Sequence, residues 1–143
     1  MREEKHLRFD AESSILKELK LVKDARDKIL DGTYPDKVIF GRQRKHIPGT
    51  KEFEQKRQMM QSKGSSPSIL TADAEDLVKK YKGTGTIRIV GSSPYPQETI
   101  DTEEIVGKTW VKGLQRYIDT KRIKLIYSSI GVHIVPVSDY GRI

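Results

Sequence analysis

Ile123-Lys124-Leu125-Ile126-Tyr127-Ser128-Ser129-Ile130-Gly131-Val132-His133-Ile134-Val135-Pro136-Val137 is the clearest hairpin pattern in the sequence. β-Branched and aromatic residues crowd 123–128 and 132–137, and Ser129-Ile130-Gly131 breaks the run with turn residues, so the two arms pair as a β-hairpin. Working back along the chain, Arg116–Ile118 reads as a short strand and Glu104–Val111 as a longer one. Thr86–Val90 reads as another, closed by Gly91 and the Pro94/Pro96 loop.

Further upstream the period changes from two to 3.6. Ile15, Leu19, Val22, Ala25 and Ile29 form one stripe of a helix over residues 10–31, begun by Asp10 or Ser13 and stopped by Asp31-Gly32. Lys17, Lys20, Lys23, Asp24 and Asp27 occupy its other face, and the stripe is expected to pack on this chain's own core. Residues 51–60 carry only a poor helical period, and 61–68, with Gly64, Pro67 and several serines, read as a flexible loop. Thr71 is expected to cap a second short helix with Asp73, Glu75 and Asp76 in its first turn; Leu77, Val78 and Tyr81 form its buried face and Gly83 its stop. Helices first and antiparallel strands afterwards predict an α+β domain, with N-terminal helices on an antiparallel sheet of about four strands.

The chain of 143 residues carries 27 Lys and Arg against 20 Asp and Glu, a formal net charge of +7. Such a surplus draws polyanions, of which nucleic acid is the commonest. No apolar run reaches the roughly 18 residues that a membrane span needs. Met1-Arg2-Glu3-Glu4-Lys5-His6 leads into no apolar stretch, so no signal peptide is expected. The absence of cysteine removes disulfides, thiolate metal sites and thiol nucleophiles, and suits a reducing compartment.

Few motifs offer chemistry. Gly107-Lys108-Thr109 ends like a phosphate loop, but Thr102 stands where the loop needs glycine. Gly83-Thr84-Gly85 is a helix stop and turn whose exposed amides, Thr84 among them, are open to a phosphate. His6, His46 and His133 do not pair at metal-ligand spacing, and no Gly-x-Ser-x-Gly elbow is present, so neither metal nor cofactor is expected. A metal-free acid–base site remains. His46 follows a basic cluster, Arg42, Arg44 and Lys45, and His133 follows the hairpin turn; histidine fills either proton role near neutral pH, with Lys or Arg as the cation. A lone histidine more often serves structure, so both need a second argument. By alternation His133 shares a face with Val135 and Val137; if that face meets the helices, His133 lies at the end of the core face.

Five segments in order supply that second argument: Gln43-Arg44-Lys45-His46-Ile47-Pro48-Gly49-Thr50, Ser68-Ile69-Leu70-Thr71, Leu77-Val78-Lys79-Lys80-Tyr81-Lys82-Gly83-Thr84-Gly85, Ile105-Val106-Gly107, and Tyr127-Ser128-Ser129-Ile130-Gly131-Val132-His133-Ile134-Val135-Pro136. From about Phe40 to Pro136 the sequence resembles the polymorphic toxin type 50 domain. The resemblance implies a ribonuclease toxin of the barnase–EndoU–colicin–RelE fold group, acting in the bacterial cytoplasm. It also implies delivery by a secreted toxin or phage head-associated carrier, and an immunity protein as partner. It places the family's two histidine motifs on His46 and His133. Many members carry a further histidine where this chain has Ile126. The expected reaction is metal-independent cleavage of RNA by its own 2′-hydroxyl. His46 and His133 share the proton roles, Lys45 stabilises the phosphorane, and Tyr127 and Ser128 donate to it; Arg42, Arg44, Thr84, Lys121 and Arg122 hold the RNA. Residues 1–33 are expected to be a helical extension and 34–143 the toxin domain. The alternative is a nucleic-acid-binding or phage head-associated structural protein without catalysis.

Overall fold

The alternation in the hairpin is realised: β6 (Arg122–Tyr127) and β7 (Val132–Pro136) pair antiparallel, with Leu125 opposite Ile134 and Ile126 opposite His133. The computed structural model describes the backbone of residues 2–139 and the side chains of residues 11–139. Ahead of the hairpin come α1 (Arg2–Leu30), α2 (Phe40–Gln43), a 3₁₀ turn (Arg44–His46), α3 (Lys51–Gln61), β1 (Ile69–Leu70) and α4 (Ala74–Tyr81). Then follow β2 (Thr86–Arg88), β3 (Gln97–Asp101), β4 (Gly107–Val111) and β5 (Arg116–Thr120). The fold is α+β, as predicted, with two antiparallel sheets: one of four strands in the order β2-β3-β6-β7, and one of three in the order β1-β4-β5.

Directly opposed residues of an antiparallel sheet share a face, so its rows can be read across the four strands. Ile87, Glu98, Leu125 and Ile134 make one row, and Ile100 with Ile123 part of the next. These residues are buried against Ala25 and Ile29 of α1 and Leu77 and Val78 of α4. The other face carries Arg88, Gln97, Ile126 and His133 in a row, with Thr86, Thr99, Lys124 and Val135 beside it. Helices α1 and α4 therefore cover the Val132/Ile134 face, and His133 and Val135 stand on the opposite one, contrary to the packing expected from the sequence.

Several boundaries differ for identifiable reasons. α1 begins well before Asp10 and Ser13, which lie inside it. Only the end of its stripe packs: Ala25 and Ile29 are buried, whereas Ile15 and Leu19 are 57% and 60% exposed. α3 is a complete helix despite its poor period, because the Thr50 hydroxyl accepts from the Phe53 amide at 3.1 Å and caps it. α4 is capped by Asp73, not Thr71; the Asp73 carboxylate accepts from the Asp76 amide at 2.9 Å. β3 replaces what read as loop after Pro96, and β4 is shorter than the run expected from Glu104.

The free edge of β7 is closed by an unusual device. The Val132 amide donates to the Lys37 carbonyl and the Ile39 amide to the Val132 carbonyl, a short parallel bridge at Val38. Beyond it the fully buried Gln43 side chain continues the ladder: its amide donates to the Ile134 carbonyl at 2.9 Å and its oxygen accepts from the Ile134 amide at 2.7 Å. Gly131 permits this approach, because a Cβ there would stand 2.2 Å from the Lys37 carbonyl oxygen.

Candidate active site

The Gln43–Ile134 clasp fixes α2 and the following 3₁₀ turn against β7, and that turn carries Arg44, Lys45 and His46. His46 is only 4% exposed. Its Nδ1 lies 3.1 Å from the Ser68 carbonyl oxygen and 3.0 Å from the Ser68 hydroxyl. A carbonyl only accepts, so Nδ1 carries the proton and the neutral ring keeps its lone pair on Nε2. Burial pushes the His46 pKa from 6.5 down to about 4; the bond to Ser68 opposes this, and the charges of Lys56 and Lys45 reinforce it.

His133 belongs to the same cluster. Burial again lowers its pKa to about 4, and His46, Arg42, Lys45 and Lys56, in that order, add to the effect. Its Nδ1 is a buried nitrogen with no hydrogen-bond partner. A buried polar atom left unpaired costs about 1–3 kcal/mol. Burial and the neighbouring charge of Lys45 also lower the pKa of Lys56, on α3. Sequence reading missed Lys56, because one lysine in a charged helix looks like part of a solvated face. Its only signal is the spacing from Phe53, which puts it on the flank of the helix beside the buried ring.

The remaining expected site residues are placed as follows. Arg42, Arg44 and Lys45 are exposed around the histidines. Tyr127 is not among them. It lies on the core face, buried, and its hydroxyl donates to the Glu98 carboxylate at 2.7 Å; burial and the charge of Glu98 push its pKa far up. Neighbours along a strand point to opposite faces, so a tyrosine opposite Val132 cannot share a surface with His133. The Ser128 hydroxyl donates to the Gly131 carbonyl at 2.9 Å and closes the hairpin turn, so its proton is committed there. The turn at Thr84 does bind an anion, but an internal one. Glu98, fully buried, accepts from the Gly83 amide at 3.0 Å and the Gly85 amide at 2.7 Å, while the Thr84 amide and hydroxyl both donate to the Tyr81 carbonyl. No amide of this turn is left for a phosphate. Arg122 pairs with Asp101 at 2.6 Å and lies at the far end of β6, about 13 Å along the strand from the position opposite His133, and the exposed Lys121 lies just before it. Ile126, where the resemblance puts a third histidine in many members, is the cross-strand partner of His133.

Among the described residues no group of three or more His, Asp or Glu side chains is arranged to hold a metal, and no helix is long and apolar enough to cross a membrane. No curated protein and no solved structure matches the chain. Residues 38–136, from the bridge at Val38 to the end of β7, match the family described as bacterial toxin 50, and the chain belongs to that family of polymorphic toxin domains.

Proposed function

We propose that this toxin domain is a metal-independent endoribonuclease that cuts RNA by transesterification. The observation that carries this reading is the buried, unpartnered Nδ1 of His133 in a cluster with His46, Arg42, Lys45 and Lys56. One histidine takes the proton of a ribose 2′-hydroxyl, and the 2′-oxygen attacks the adjacent phosphorus. The bond from phosphorus to the 5′-oxygen breaks, and the second histidine protonates that oxygen. The products are a 2′,3′-cyclic phosphate and a free 5′-hydroxyl. His46, with its proton fixed on Nδ1 and its lone pair on Nε2, suits the base, and His133 the acid. Lys45, joined by Lys56, provides the positive charge that a pentavalent phosphate needs, while the hydroxyls of Tyr127 and Ser128 donate to Glu98 and Gly131 instead. Arg42 and Arg44 lie where an RNA backbone would run, and the net charge of +7 favours encounter with it.

The four-stranded antiparallel sheet with helices on one face supports the barnase–EndoU–colicin–RelE grouping. Action in the bacterial cytoplasm, an immunity protein and a secreted or phage-borne carrier follow from reading the family in this way. Residues 34–143 would be the toxin domain proper and residues 1–33 an extension whose last turns lend Ala25 and Ile29 to the core.

The test is cleavage of total RNA by the purified protein in EDTA, beside the His46→Ala/His133→Ala double variant. An oligonucleotide with a single 2′-deoxy sugar at a mapped cut site completes it. Cleavage is expected to survive EDTA, and to be lost in the double variant and at the deoxy position. Restoration only by added Mg²⁺, or cutting at the deoxy sugar, would overturn the mechanism.

A further inference from the structure

A pocket of about 440 Å³ opens between α3 and the three-stranded sheet. Its walls include Phe53, Trp110 and Tyr117, with Arg57, Gln61 and Gln115 at the polar positions. The register of β4 and β5 puts Trp110 directly opposite Tyr117, so both rings stand on one face of the sheet, edge to face with centroids 5.1 Å apart. Both rings are pinned: Trp110 Nε1 donates to the Gly64 carbonyl at 3.0 Å and the Tyr117 hydroxyl to the Pro67 carbonyl at 2.9 Å. Phe53, Arg57 and Gln61 come from one side of α3 at steps of four, and Lys56 flanks them toward the histidines.

The pocket and the candidate active site share their supports. The Tyr117 hydroxyl bonds Ser66 and Pro67, and the next residue, Ser68, holds His46 Nδ1. On the other side Pro48 lines the pocket two residues after His46, so their backbones are at most about 7 Å apart. One wall of the pocket and His46 thus belong to a single short segment.

We infer that this pocket takes a nucleobase of the RNA strand, beside the phosphate held at the histidine cluster. The inference rests on the ribonuclease reading and assigns its substrate contacts. Aromatic walls fit a base because every base has a π-face to stack. The amides of Gln61 and the oxygen of Gln115 offer donors and an acceptor to a base edge; the amide nitrogen of Gln115 is committed to the Gly64 and Lys112 carbonyls. Arg57, paired with Glu54 at 2.8 Å and about half exposed, stands at the rim, able to meet a phosphate. The same walls would suit an aromatic side chain of a protein partner, but the shared segment with His46 and the basic surroundings favour the nucleotide.

Trp110 is the sole tryptophan of the chain and reports on the pocket directly. Its fluorescence should be followed while the full chain is titrated with each of the four ribonucleoside monophosphates, with ribose 5-phosphate, and with N-acetylphenylalanine amide. Saturable quenching by at least one nucleotide and none by ribose 5-phosphate is the expected result. Tyr117→Leu, its melting temperature measured in parallel, should weaken that nucleotide about tenfold, while Tyr117→Phe, which keeps the ring, should weaken it less. No saturable response to any nucleotide overturns the inference, as does an equal response to ribose 5-phosphate. A response to the phenylalanine amide alone would make the pocket a protein-docking cleft and likewise overturn it. RNA cleavage without nucleotide binding would remove this inference and leave the proposed reaction; nucleotide binding without cleavage would support the pocket and remove the reaction.

Discussion

Glu98 and His133 are both polar groups built into the four-stranded sheet, on opposite faces, and they are treated in opposite ways. Glu98 stands in a row of Ile87, Leu125 and Ile134, and its carboxylate accepts from two amides and the Tyr127 hydroxyl. A buried charge so completely surrounded by donors is settled; it organises the core and has nothing left to offer a ligand. His133 has a buried nitrogen with no partner, three cations nearby and a second histidine beside them. The difference is between polar capacity that the fold uses up, which stabilises, and polar capacity that it leaves open.

Four substitutions, one of them followed through a pH titration, test this contrast. His133→Ala should lower RNA cleavage by about 10²–10⁴-fold, the usual share of general acid–base assistance, with little change in melting temperature. A variant that melts much earlier and cuts normally would make His133 a structural residue. Glu98→Leu should do the reverse. It strands three donors in the core and should cost on the order of 3–5 kcal/mol, about 10 °C in melting temperature. An unchanged melting temperature would mean that the donors find water or each other.

The titration concerns both histidines. Their folded-state pKa values, about 4, lie below the 6.5 of the unfolded chain. The unfolded state therefore binds more protons between pH 6.5 and 4. Stability contributed by the neutral rings is full above 6.5 and is lost as pH falls toward 4, on the order of 3 kcal/mol for the buried His46. The melting temperature should drop across that window and drop less in His46→Gln. Over the part of it where the protein stays folded, kcat/KM should rise as pH falls from 7, because the acid must first be protonated. A rate that peaks at neutral pH would contradict the depressed values. The smallest effect is expected at Arg26, whose guanidinium donates to the Gly83 and Gly85 carbonyls behind the Glu98 cradle. Arg26→Ala should cost about 1–2 kcal/mol and leave cleavage intact; lost activity without lost stability would tie the cradle to the catalytic face.

The same contrast explains what could be read from the sequence. The β6–β7 hairpin was legible because its residues alternate in one period throughout. β3 was not: in Gln97-Glu98-Thr99-Ile100-Asp101 the core face is shared by Glu98 and Ile100, and a glutamate in a strand pattern reads as exposed until its three donors, 13, 15 and 29 residues away, are known. His46 and His133 are singled out in the sequence by their motifs. Tyr127 and Ser128 enter the expected site through the resemblance segment they share with His133, although strand alternation puts Tyr127 on the other surface. Lys56 and the aromatic pocket depend on which residues α3 and β4–β5 bring together, and no local pattern carries that.

The Gln43–Ile134 clasp also sets an order of events in time. Its partners are 91 residues apart, and it holds together the two stretches that carry the histidines. Closing so long a loop comes late, because its entropy is repaid only by contacts made at the end. During synthesis the His46 segment leaves the ribosome long before β7 exists, and has no strand to dock on. The two stretches that carry the histidines are thus brought together only once β7 has been made.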